Sequence, residues 1–106
     1  MTTRQKKKAR KRAKKQLHRL LDIVLDTNGM ESRTQEETGA LPTVFLFYYG
    51  HINTVEVEIA LRGWKPDGPT LTLLRRNLDR SSITDAEVAY VKRRCEQALM
   101  MPPLRF

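Results

Sequence analysis

Two periodicities divide the chain. Leu17, Leu20, Leu21, Val24 and Leu25 recur at the i, i+3, i+4, i+7, i+8 spacing of an amphipathic helix. Ala9 and Ala13 carry the stripe upstream in steps of four. On a helical wheel Ala9, Ala13, Leu17, Leu20 and Val24 lie within about 80° of one another. Asn28-Gly29 is a stop signal, because glycine takes the left-handed C′ position without a Cβ penalty. The pattern predicts a first helix over roughly residues 5–27, firmest from Leu17 to Leu25.

A period of two takes over further on. Thr43–Tyr49 is continuously apolar and aromatic, the pattern of a strand covered on both faces. Gly50–Asn53 reads as a turn. Thr54–Arg62 alternates, with Val55, Val57, Ile59 and Leu61 on one side and Thr54, Glu56, Glu58 and Ala60 on the other. Gly63–Pro69 is dense in glycine and proline, hence a turn, and Thr70–Leu78 is a third, less regular strand. Residues 30–42 are polar and end in proline, as a mobile loop does. Thr84, three residues before Glu87, forms a capping box for a last helix. Ala86, Val88, Val91, Cys95, Ala98 and Leu99 keep its spacing, and Pro102-Pro103 ends it. The expected architecture is α+β, in the order α-β-β-β-α. A three-stranded antiparallel meander is packed by an N-terminal and a C-terminal helix.

Charge changes this picture more than composition does. Of 20 Lys and Arg residues, ten lie in residues 1–19: Arg4, Lys6, Lys7, Lys8, Arg10, Lys11, Arg12, Lys14, Lys15 and Arg19. No acid accompanies them. The rest of the chain is slightly acidic, so the net charge of +8 belongs to the arm. The expected division is a basic, partly helical arm over residues 1–16 and a single small domain over 17–106. Like charges at i, i+4 each cost about 0.2–0.5 kcal/mol, and cations oppose the dipole at a helix N-terminus. The arm is therefore expected to fray when free and to order on a polyanion. One cysteine forms no internal disulfide, one Cys and two His build no structural zinc site, and no cofactor-binding motif is present. No apolar run reaches the ~20 residues of a membrane span. A cytoplasmic setting is expected, or a nuclear one in a eukaryotic host.

Eight of the ten residues Lys6–Lys15 are basic. Such density suits DNA or RNA phosphates, each of which releases counterions when neutralised. The arm has few side chains able to read base edges, so low base specificity is expected. Lys6-Lys7-Lys8-Ala9-Arg10 also fits a loose nuclear-import pattern. A membrane surface is disfavoured, since no aromatic or large apolar side chain accompanies the cations for insertion. Phe45, Phe47 and Tyr49 share one strand face, as base-stacking rings would, yet Glu56 and Glu58 on the adjoining strand repel phosphate. Those two glutamates are expected to pair with Arg62 and Arg76. The rings, with Trp64, are better read as core or as an interface for a protein partner or a homodimer. Cys95 sits in the apolar stripe of the last helix, and His51 in a turn. Nothing resembles an active site, so no catalytic residue is assigned.

The α-β-β-β-α order resembles the double-stranded-RNA-binding domain in topology alone. That family opens its second helix with a lysine cluster. Here the helix opens Thr84-Asp85-Ala86-Glu87, and Lys92, Arg93 and Arg94 follow one to two turns later. Val44–Trp64, with Gly50-His51, the alternating strand and Gly63-Trp64, is similar to small uncharacterised phage-encoded proteins of Gram-positive bacteria. That resemblance implies an accessory role on host nucleic-acid machinery. The expected function is thus non-enzymatic nucleic-acid binding through the arm. The alternative is a protein inhibitor or adaptor that binds through its sheet face. A body starting near Leu17 would separate the two.

Overall fold

The computed structural model describes residues 2–101. Its elements are α1 (Thr3–Asn28), α2 (Gln35–Ala40), β1 (Thr43–Tyr49), β2 (Thr54–Ala60), β3 (Leu71–Asn77) and α3 (Asp85–Met100). The strands form one antiparallel sheet in the order β1-β2-β3, with α1 and α3 packed on the same side. The α+β meander read from the periodicities is the observed fold.

The core follows from the alternation of β2. Val55, Val57 and Ile59 are fully buried and meet Leu20 and Val24 of α1 and Val88, Val91, Cys95 and Ala98 of α3. Leu61 lies just past the end of β2 and packs against this core from its rim. A register shift between Val57 and Glu58 lets both Leu73 and Leu74 of β3 turn inward, which explains the irregular third strand. Gly29 closes α1 at φ 85°, its N–H bonding to the Leu25 carbonyl, as the Asn-Gly pair predicts.

Three expectations change. The segment read as a loop contains α2, one and a half turns long, opened by a capping box between Thr34 and Glu37. The same signal was legible at Thr84 because an apolar run followed it; none follows Thr34. Second, β1 is covered on one face only. Val44 is buried, whereas Phe47 and Tyr49 remain 38% and 36% exposed. With helices on one side of the sheet, nothing in the described residues covers the other. Third, Arg76 pairs with Glu87 of α3 and also donates to Ser81 Oγ. It lies opposite Val55 in the ladder and so faces the helices, while Arg75 stands opposite Glu56. The bulge moved the face of each arginine by one residue. Helix α1 runs unbroken to Thr3, close to its expected start, and is opened by a reciprocal capping box of Thr2 and Gln5. That cap offsets part of the like-charge cost along the arm. The last helix, α3, ends at Met100, with Met101 as its cap; Pro102-Pro103, expected to stop it, lies outside the described residues.

Close packing sets α2 against the turn that follows β2. Gly63 takes φ 93°, and a Cβ there would lie 2.1 Å from the Thr38 carbonyl oxygen. Only glycine allows the turn after β2 to approach α2 this closely.

Candidate nucleic-acid interface

The molecule measures 57 × 24 × 21 Å, and α1, its longest element at 26 residues, spans about 39 Å. The helix is anchored from Gln16 onward, where Gln16, Leu20, Val24 and Thr27 are buried. Ahead of that anchor, Thr3–Lys15 extends as a helix of roughly 20 Å at 1.5 Å per residue. All nine basic residues from Arg4 to Lys15 are exposed there. At 100° per residue they spread over an arc of about 240°, centred opposite the buried stripe. Ala9 and Ala13 occupy the remaining sector and turn toward the sheet end, where Leu17, Tyr48, Asn53, Leu78 and Asp79 line an open groove with them. This stretch of helix therefore presents cations on every side but the narrow alanine sector, and Lys6, Arg10 and Lys14 border the groove there. His18 is exposed beside Lys11, Lys14 and Lys15.

Arg19 stands apart from the other nine. Its Nη1 donates to Asp85 Oδ1 at 2.7 Å and to Gln16 Oε1 at 2.9 Å. Gln16 Nε2 in turn donates to the Ile83 carbonyl at 3.0 Å and to Asp85 Oδ1 at 2.9 Å. This cluster ties α1 to the start of α3. The Gln16 amide first, and the Arg19 guanidinium second, hold the Asp85 carboxyl below its ordinary value of 3.8. Sequence reading placed residue 16 in the arm; its burial comes from a long-range contact, 67 positions away, that no local pattern announces.

On the uncovered face of the sheet the rings of Phe45, Phe47 and Tyr49 stack along β1, with centroids 6.1 and 6.3 Å apart and nearly parallel planes. Phe45 stands across from Glu58, and Phe47 from Glu56. The Glu58 carboxyl is pushed above its ordinary value, chiefly by a hydrogen bond with Glu56, then by desolvation and by the Glu56 charge. Such a pair repels phosphate. Trp64 does not join the stack. It lies beyond Phe45 across a small cleft lined also by Thr43 and Arg33, and is 47% exposed. The four residues read as one interface thus form a three-ring ladder and a separate tryptophan.

Two structural residues escaped the sequence reading. The Arg33 guanidinium donates to the carbonyls of Thr27 and Asn28 at the end of α1, and to the Pro42 carbonyl and Thr43 Oγ1 at the start of β1. The Asn28 side chain, noted only as part of a helix stop, bonds both backbone groups of Val44. Cys95 is buried, and burial pushes its thiol up, so it stays protonated and packed. Among the described residues no helix is long and apolar enough to cross a membrane. No family model, no curated protein and no solved structure matches this chain.

Proposed function

We propose that this protein binds nucleic acid without catalysing a reaction, laying the basic N-terminal half of α1 against the phosphate backbone of DNA or RNA. The observation that carries the reading is the exposure of nine cations, unaccompanied by any acid, on a helix that projects past the core. Cations on both flanks of one helix suit a groove, which offers phosphates on two sides. Counterion release supplies the affinity, and the lack of base-reading side chains keeps specificity low. The slightly acidic body leaves polyanion binding to the arm.

The test uses the full-length chain with Lys7, Lys8, Lys11 and Lys15 replaced by Gln. Binding to duplex DNA, duplex RNA and single strands is measured across a salt series. Losing four phosphate contacts flattens the slope of log K against log salt by about 3 to 4, at about 0.7–0.9 per phosphate. Unchanged affinity and slope on every nucleic acid would refute the proposal. A second reading, an adaptor or inhibitor of a nucleic-acid-processing complex, draws support from the stacked Phe45, Phe47 and Tyr49 rings on the uncovered face. A target still bound by the neutralised chain and released by Phe45→Ala would favour that reading.

A further inference from the structure

The outer edge of β1 is half sealed. Antiparallel pairing turns the N–H and C=O of alternate residues away from the neighbouring strand. Val44 is one of these. Its N–H donates to Asn28 Oδ1 at 2.9 Å and its carbonyl accepts from Asn28 Nδ2 at 2.8 Å. A side-chain amide thus stands where a fourth strand would begin. Arg33 covers the strand's start through the Pro42 carbonyl. By the same alternation Leu46 and Tyr48 direct their backbone groups outward, and among the described residues nothing bonds them there. Edge strands are ordinarily blunted by lysine, proline or a bulge. Thr43–Tyr49 carries no charge and no proline, and its pairing with β2 is regular.

We propose that a second copy of this chain completes this edge, with β1 pairing antiparallel to its mate about a two-fold axis through Phe47. In that register Leu46 of one copy lies opposite Tyr48 of the other, and each such pair exchanges two backbone hydrogen bonds. Phe47 meets Phe47, and Phe45 of one copy meets Tyr49 of the other, so the two ring ladders join on one face. On the opposite face Leu17, Leu21, Leu46 and Tyr48 line an apolar cleft between α1 and the edge, and Leu46 and Tyr48 of the arriving strand fill it.

Two features favour a self-mate over a foreign strand. The strand is neutral throughout, so its own side chains bring no like charges together across the axis. The alternation that places rings on one face and Leu46 and Tyr48 on the other is the one both surfaces require. Moreover, α1 runs antiparallel to β1, with Asn28 against Val44 and Leu17 beside Tyr48. The two basic arms of such a dimer therefore leave in opposite directions, which keeps their charges apart. The symmetry closes, so pairing stops at two.

Sedimentation equilibrium of the full-length chain, in salt high enough to screen the arms, tests this. The expected particle has twice the 12.3 kDa mass of one chain. Phe47→Lys should sediment as the single chain. The new ammonium group faces Glu56 within its own chain, so the fold tolerates it, while two such groups oppose each other across the axis. Tyr48→Pro is the second variant. It removes an outward N–H and no bond to β2, and it should also yield the single chain. Circular dichroism verifies that each variant is folded. A wild-type chain that stays at 12.3 kDa at every concentration overturns the proposal, as does a dimer that persists in both folded variants. Neither result bears on nucleic-acid binding by the arm.

Discussion

At the scale of single residues, Arg33 shows how much of the architecture hangs on one planar side chain. Its five N–H groups form a rigid fork, and here that fork bridges two carbonyls of α1 and two oxygens preceding and opening β1. Lysine keeps the charge but carries its three donors on one nitrogen, too compact to span four acceptors. Arg33→Lys is therefore expected to leave helix-end carbonyls unpaired and to cost about 1–3 kcal/mol, read as a lower urea midpoint with an unchanged slope. A variant with the wild-type midpoint would show that water replaces those bonds without loss. Nothing in the sequence marks Arg33. It lies in a polar stretch with no apolar period, and all its partners but Thr43 Oγ1 are backbone atoms, which carry no sequence signature. Val55, Val57 and Ile59 were legible because burial on a sheet imposes a period of two on side chains. The same logic failed for Arg76, since one bulge between Val57 and Glu58 exchanged the faces of Arg75 and Arg76.

At the scale of elements, α1 and α3 meet through a polar joint beside the apolar one. Asp85 receives Gln16 and Arg19, and its folded value lies below the ordinary 3.8. A depressed carboxylate contributes stability that is fully present above its unfolded value and is lost as pH falls through the folded one. Asp85 is exposed, so solvent screens the gain and only its direction is argued. Acid titration should show it: between about pH 5 and pH 2 the wild-type urea midpoint is expected to fall more steeply than that of Asp85→Asn. Parallel curves would mean that the joint adds nothing to the packing of Leu20 and Val91. The last helix itself was legible from Thr84 and Glu87, yet its partner on α1 was not. Capping is local, whereas Gln16 and Asp85 meet only because the fold brings together residues 69 positions apart.

At the scale of the whole molecule, a polycationic projection and a slightly acidic body share one helix, and the position of the boundary decides whether they can be separated. Charge alone places it near residue 19, and the apolar stripe near Leu17. The hydrogen bonds place it earlier, because Gln16 is 5% exposed and satisfies the buried carbonyl of Ile83. Two truncations divide these alternatives. A chain beginning at Lys14 loses seven of the ten arm cations and keeps Gln16 with all its partners. It should melt within a degree or so of the full chain and lose most of its affinity for polyanions, since each neutralised phosphate contributes separately to binding. A chain beginning at Leu17 also lacks Gln16. It also loses Lys14 and Lys15, so it should bind polyanions more weakly still and, in addition, lose about 1–3 kcal/mol of stability, because the Ile83 carbonyl is left without a partner. For a domain of this size that is a drop of roughly 4 °C or more in Tm. Equal melting of the two truncated chains would mean that the Ile83 carbonyl finds water. A fall in stability already at Lys14 would instead mean that Ala9 and Ala13, facing Tyr48 and Leu78 across their groove, hold the body together. The projecting helix would then be part of the fold as well as its binding surface, and no truncation would free one from the other.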